Sequence, residues 1–271
     1  MTWLDTATRT AQGVSGKRSR RMVEIVELVA TRGSVSLAEF SDALGVSAAT
    51  VRRDLADLEA KRVIVRTHGG ATAIESLAEL PVALRDSQSQ DAKRAIAERL
   101  VTLIPAERHA VAISGGSTTA MAARALSRHP ELTIVTNSLS IATLVTSFPN
   151  LKVIMTGGLL RPQSLELVGV LAENTFNAIN VGTAILGTDG ISAEGGVTTH
   201  DETEARTNNA MVTHAQRTIV IADGSKVGRL TLAKVADLDQ VDVFITDDRA
   251  DPAELERIGA AGVEVHVVAL G

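Results

Sequence analysis

Gly45-Val46-Ser47-Ala48-Ala49-Thr50-Val51-Arg52-Arg53-Asp54-Leu55 reads as a turn followed by a helix with two unlike faces. Ser47 is a good N-cap, because its hydroxyl can accept from a free amide of the first turn. A helix starting there carries Val51, Leu55 and Leu58 on one face, at spacings of four and three. Ala49, Arg53 and Ala56 lie opposite, flanked by Ala48, Thr50 and Arg52. Small residues let a backbone approach a DNA major groove, and arginine can grip guanine edges bidentately or bind phosphates. An ordinary amphipathic helix with solvated arginines carries the same pattern, so the neighbouring residues must discriminate.

Upstream, Lys17, Arg18, Arg20 and Arg21 form a basic run ahead of a helix striped by Met22, Ile25, Val26 and Val29. Gly33 stops that helix, where a left-handed residue is cheap. Ser36 can cap a second helix bearing Leu37, Phe40 and Leu44, and Gly45 supplies the turn. Two short helices joined by a glycine turn, the second presenting arginines, make a helix-turn-helix. Downstream, Val63-Ile64-Val65-Arg66 and Thr67-His68-Gly69-Gly70-Ala71-Thr72 read as two short strands, a wing beside the helices. Arg66 and His68 sit where a wing could touch backbone or the minor groove, although a solvated turn histidine is the plainer reading of His68. The candidate DNA contacts are therefore Ser47, Ala48, Ala49, Thr50, Arg52, Arg53, Arg66 and His68.

Composition bounds the rest. At 271 residues the chain is long enough for two domains. With no Cys, disulfides, thiol catalysis and cysteine-ligated zinc are excluded. Aromatics make up 2% of the chain, too few for a platform that stacks single-stranded bases. No run of about 18 apolar residues marks a membrane span. Residues 1–16 lack an apolar signal core and read as a disordered lead-in, so a cytoplasmic protein is expected. The net charge of −5 is uneven: residues 17–66 hold ten Lys/Arg against seven Asp/Glu, while 67–271 carry a net −8. A basic segment on an acidic body is the footprint of local nucleic-acid contact.

Residues 75–90 have no clean period and are expected to connect 17–74 to a larger domain over 91–271. Asp91 to Leu103 reads as an amphipathic helix, after which strands and helices alternate. The expected strands are 110–113, 133–136, 151–155, 181–186, 218–222, 241–246 and 263–268. That alternation means a mostly parallel α/β sheet covered on both faces. Ligands of such sheets bind at the carboxyl ends of the strands. There Ser114-Gly115-Gly116-Ser117-Thr118-Thr119 opens a helix, and its amides and hydroxyls make an anion cradle. It lacks the Lys of a P-loop, and a capped strand-to-helix turn has the same pattern. Lys226, after a later strand, could supply the cation for a phosphate. Asn137, Asp189 and Thr198 also fall at strand ends. The candidate effector ligands are Gly115, Gly116, Ser117, Thr118, Thr119, Asn137, Asp189, Thr198 and Lys226, a set suited to a small phosphorylated polyol.

Two groups of motifs carry a resemblance. The first is Leu44-Gly45-Val46-Ser47, Thr50-Val51-Arg52-Arg53-Asp54-Leu55, Leu58-Glu59 and Arg66-Thr67-His68-Gly69-Gly70-Ala71. The second is Gly116-Ser117-Thr118-Thr119, Thr136-Asn137-Ser138, Gly157-Gly158, Gly187-Thr188-Asp189-Gly190, Gly196-Val197-Thr198-Thr199, Ala222-Asp223-Gly224-Ser225-Lys226 and Ile245-Thr246-Asp247. Over residues 18–268 the chain resembles the DeoR-type family of bacterial repressors. The resemblance implies a winged helix-turn-helix with the Ser47 helix as recognition helix. It also implies a sensor domain resembling ribose-5-phosphate isomerase, with a sugar-phosphate effector near the first loop and Lys226. Ser114 stands where the family usually has Asp, which implies a different effector or affinity.

The leading expectation is a DNA-binding transcriptional regulator, a repressor of a carbohydrate-use operon released by a phosphorylated sugar. The alternative is a sugar-phosphate isomerase, whose proton transfer would draw on Asp189, Glu202 or Glu204; an isomerase has no need for a helix-turn-helix. No cofactor or metal is expected. The expected partners are a double-stranded DNA operator, the effector and further copies of the chain, as a dimer or tetramer, with no membrane. One helix-turn-helix reads only a half-site.

Overall fold

The computed structural model describes residues 3–61, 63–73, 79–86 and 88–270. They form two compact units that meet in the chain at Gln88 and Ser89.

The first unit runs α1 (Trp3–Arg32), β1 (Ser34–Ser36), α2 (Leu37–Leu44), α3 (Ala48–Ala60), β2 (Ile64–Thr67), β3 (Gly70–Ala73) and α4 (Val82–Arg85). Each helix-turn-helix boundary has a local cause. Ser36 and Glu39 form a reciprocal capping box at the start of α2. The Ser36 hydrogen bonds hold the Glu39 carboxyl below its ordinary value. Gly45 ends α2 at φ 63°, a left-handed turn that glycine adopts without strain. Ser47 then caps α3 by accepting from the Thr50 amide at 3.3 Å. Val51, Leu55 and Leu58 are buried with Phe40, Ile25 and Val29 in one core, so the predicted apolar face of α3 is its inner face.

Three features of this unit differ from expectation. The expected lead-in is helical from Trp3 onward, with residues 1 and 2 outside the described residues. A helix nucleated by the buried stripe of α1 extends at little cost when no proline interrupts it. The wing has three strands, in order β1-β3-β2, because Ser34–Ser36 pairs antiparallel with Gly70–Thr72. The expected connector over 75–90 is only partly one. Residues 74–78 lie outside the described residues, but Leu80 and Leu84 pack into the core of the first unit.

The join of β1 and β3 gives a testable result. A Cβ on Gly70 would lie 2.0 Å from the Val35 carbonyl oxygen, a backbone atom that cannot swing aside. Gly70→Ala is expected to destabilise this unit by about 1–3 kcal/mol, the usual range for overpacking. The check is a urea melt of the variant; an unchanged midpoint would mean that β1 can shift freely.

The second unit begins with α5 (Gln90–Val101), β4 (His109–Ile113), α6 (Ser117–Ala125), β5 (Leu132–Thr136), α7 (Leu139–Val145) and β6 (Leu151–Met155). A hairpin of β7 (Leu159–Arg161) and β8 (Glu166–Val168) follows, then α8 (Val170–Asn177), β9 (Thr183–Leu186), β10 (Gly190–Ser192) and β11 (Gly196–Thr199). The chain closes with α9 (Glu202–Thr213), β12 (Thr218–Ile221), β13 (Ala233–Ala236), β14 (Val243–Asp247), α10 (Pro252–Ala260) and β15 (Glu264–Val268). Seven strands form the expected parallel sheet, in order β15-β14-β12-β9-β4-β5-β6. Alternate residues sort to its two faces. Ile113, Ile134, Ile185 and Ile219 meet Ile96 and Leu100 of α5. Ala112, Val135, Leu186, Val220 and Phe244 meet Phe176 of α8 and Met211 of α9. A smaller antiparallel sheet, β10-β11-β13, and the β7–β8 hairpin stand apart from it.

The strand order turns at β4. From there β5 and β6 run one way, and β9, β12, β14 and β15 the other. Loops leave the carboxyl ends of β4 and β9 on opposite sides of that switch point, where α/β sheets open a crevice.

Candidate functional site

On the first unit, Arg52 and Arg53 are exposed on α3, and neither forms an ion pair among the described residues. Ala49 beside them is exposed, and Ala48 and Thr50 are partly so. Two other cations of the basic segment, Arg18 and Arg21, are spent internally. Arg18 and Arg21 lie within α1 rather than ahead of it. Both bind the buried Asp54 of α3, through their Nε atoms at 3.0 and 2.6 Å, and Arg18 also reaches Asp57. The Asp54 hydrogen bond outweighs desolvation and, with the charge of Asp57, raises the Arg18 guanidinium above its ordinary value. These contacts lock α3 to α1. On the wing, Arg66 is exposed but pairs with Glu59 at 3.3 Å, and His68 sits exposed in the β2–β3 turn.

On the second unit, the strand-end residues gather at the switch point. Gly116 is the N-cap of α6, and among the described residues no side chain caps that helix, so the first-turn amides keep their donors. Ser117, Thr118 and Thr119 are buried, and the Thr119 hydroxyl donates back to the Gly116 carbonyl at 3.0 Å. Ser114 ties the two loops together: the Gly187 amide donates to its Oγ at 3.0 Å. Two residues on, Asp189 accepts from the Thr199 hydroxyl at 3.0 Å and faces the Lys226 ammonium at 3.8 Å. Lys226 is held there by the short turn Gly224–Lys226, whose Gly224 amide donates to Asp247. Asn137 is fully buried at the end of β5; its Nδ2 donates to Asn208, and its Oδ1 has no partner among the described residues. A buried acceptor without a donor is costly.

One expected ligand is otherwise occupied. The Thr198 hydroxyl donates to the Gly190 carbonyl and accepts from the Thr231 amide, both at 3.1 Å. It braces the small sheet. Thr199, the next residue, points to the opposite face of β11, within reach of Asp189 and, at 2.8 Å, of Glu204.

Two further residues at this edge carried no local sequence signal. Arg161 binds Glu204 at 3.0 Å and Asp201 at 3.3 Å. Glu166, its partner across the hairpin, accepts from the Gly115 amide at 2.6 Å. Among the described residues no group of three or more His, Asp or Glu could hold a metal ion, and no helix is long and apolar enough to cross a membrane.

Residues 88–248 match the DeoR C terminal sensor domain, and residues 21–77 match the DeoR-like helix-turn-helix domain. The chain belongs to the DeoR family. As a DeoR-family protein it is a DNA-binding transcriptional regulator. It is 39% identical over 250 residues to the HTH-type transcriptional regulator GlpR of Haloferax volcanii, covering 92% of this chain and 96% of the relative. It is 36% identical over 253 residues to a putative aga operon transcriptional repressor of Escherichia coli O157:H7, covering 92% and 94%. Among solved structures it is similar to ribose 5-phosphate isomerase A from Methanocaldococcus jannaschii. That match has 15% identity and a TM-score of 0.40, and covers 52% of this chain and 55% of the other.

Proposed function

We propose that this DeoR-family protein represses a carbohydrate-use operon and that a phosphorylated sugar, bound at the β4–β9 switch point, releases it from its operator. The supporting observation is one of placement. The uncapped amides of α6, the unpaired Asn137 Oδ1 and the Asp189–Lys226 pair all stand at the carboxyl edge of one sheet. The amides and the ammonium suit a phosphate, and the carboxylate and the amide oxygen suit hydroxyls. The relative named as an aga operon repressor supports the repressor reading. The isomerase reading is the weaker one. Asp189 and Glu204 already engage Lys226 and Arg161, so neither stands as an uncommitted base, and Glu202 is exposed on α9 rather than buried beside them.

We read the working form as an even-numbered assembly of this chain, since one α3 covers one half-site. Exposed Leu159, Val170 and Leu171 on the sensor unit supply apolar surface for a second copy.

Lys226 provides the test of the phosphate site. A charge-assisted contact to phosphate contributes about 1.5–3 kcal/mol. Lys226→Ala should therefore weaken effector binding by roughly tenfold to a hundredfold, while operator binding without effector survives. Calorimetric titration of wild type and variant, with the best ligand from a thermal-shift screen of sugar phosphates, measures this. Equal affinities would put the phosphate elsewhere.

A further inference from the structure

Both ends of the proposed phosphate site already hold a carboxylate. At the Lys226 end it is Asp189. At the loop end it is Glu166, which opens the three-residue β8 and is 1% exposed. Its Oε1 sits 2.6 Å from the Gly115 amide. The fit leaves no slack, since a Cβ on Gly115 would lie 2.4 Å from Glu166 Cγ and 2.5 Å from Cδ. Backbone bonds fix the hairpin that delivers this carboxylate. Leu167 donates to the Asn137 carbonyl at 2.7 Å, and Leu139 donates to the Leu165 carbonyl at 2.9 Å. The same hairpin therefore touches both the β4 loop, through Glu166, and the β5 exit, through Asn137.

We propose that Glu166 is an internal anion seated on the first amide of the 115–119 loop, and that an incoming phosphate must displace it. Glu166 thereby sets the effector concentration to which the protein responds. The proposal rests on the reading of that loop as the phosphate site. Two like charges a few ångströms apart, under the low effective dielectric of a buried site, oppose each other strongly. A phosphate carries more charge and more acceptor oxygens than a carboxylate, so it can take the Gly115 amide at the expense of Glu166. The exchange costs affinity, because Glu166 must find new partners or reach water. It also frees one anchor of the β7–β8 hairpin, which ties occupancy of the pocket to a local rearrangement at Asn137.

The experiment titrates the full-length chain with inorganic phosphate and with ribose 5-phosphate, by calorimetry, in wild type, Glu166→Gln and Glu166→Ser. Gln keeps the shape and an acceptor for Gly115 but removes the charge; Ser removes both, and a thermal melt of each variant verifies folding. Both variants are expected to bind inorganic phosphate about tenfold to a hundredfold more tightly than wild type. Equal or weaker binding in the variants overturns the proposal. Weaker binding of ribose 5-phosphate alone also overturns it, and makes Glu166 a ligand of sugar hydroxyls. If phosphate binds wild type and variants equally, the effector reading stands and only the role of Glu166 falls. If neither ligand binds any of the three proteins, the loop is not a phosphate site and both readings fall.

Discussion

Replacing Arg52 and Arg53 together by Ala is expected to cost operator binding about 2–6 kcal/mol, at about 1–3 kcal/mol for each arginine. That corresponds to a loss of roughly thirtyfold to more than about ten-thousandfold. These two cations are exposed on α3 and make no ion pair among the described residues. Arg18 and Arg21 are bound to Asp54, and Arg66 must first give up Glu59. Arg66→Ala should accordingly cost less than either α3 substitution. The single variants separate two kinds of contact. Loss of a base contact narrows the gap between operator and random DNA. Loss of a phosphate contact weakens both alike and lowers the salt slope by about one. Fluorescence anisotropy at several salt concentrations reads all of this, and unchanged binding in both single variants would remove α3 from the role of recognition helix.

What was legible in the sequence was what is local. The α2–α3 turn is written in Ser36, Glu39, Gly45 and Ser47, each acting within four residues of itself. The parallel sheet was legible because its central strands β9, β12 and β14 are short apolar runs buried on both faces. The strand-end loops could be named because the carboxyl edge of such a sheet is where ligands bind. What escaped depends on partners far apart in the chain. Glu166 and Gly115 are 51 positions apart, and Arg161 and Glu204 are 43 apart. Strands β7 and β8 have three residues each, too short for a period to show. Arg18 and Arg21 add to the basic charge of residues 17–66, yet their partner Asp54 lies 36 and 33 positions away. Thr198 and Thr199 illustrate the period-two rule of strands. Adjacent hydroxyls point to opposite faces, and which one meets Asp189 depends on the register of β11 with β10, where Thr198 pairs with Gly190.

Saturating effector is expected to weaken operator binding roughly 5–150-fold, the span of an ordinary coupling of about 1–3 kcal/mol. The β4–β9 edge and α3 belong to separate compact units. The effector is expected to act by favouring one arrangement of the half-site readers over another. Linkage then fixes a second result: operator DNA must weaken effector binding by the same factor. The size of that factor bounds the differential affinity of the effector for the two states, since a ligand binding both equally shifts nothing. Operator affinity with and without effector, at fixed salt, paired with effector affinity with and without operator, tests both halves. No change in either would leave a DNA binder with an uncoupled pocket. Tighter operator binding would keep the sensor but reverse its sign, making the ligand a corepressor. Unequal factors in the two directions would mean that the titrations were not reporting one equilibrium, for instance because DNA also changes the number of chains in the assembly.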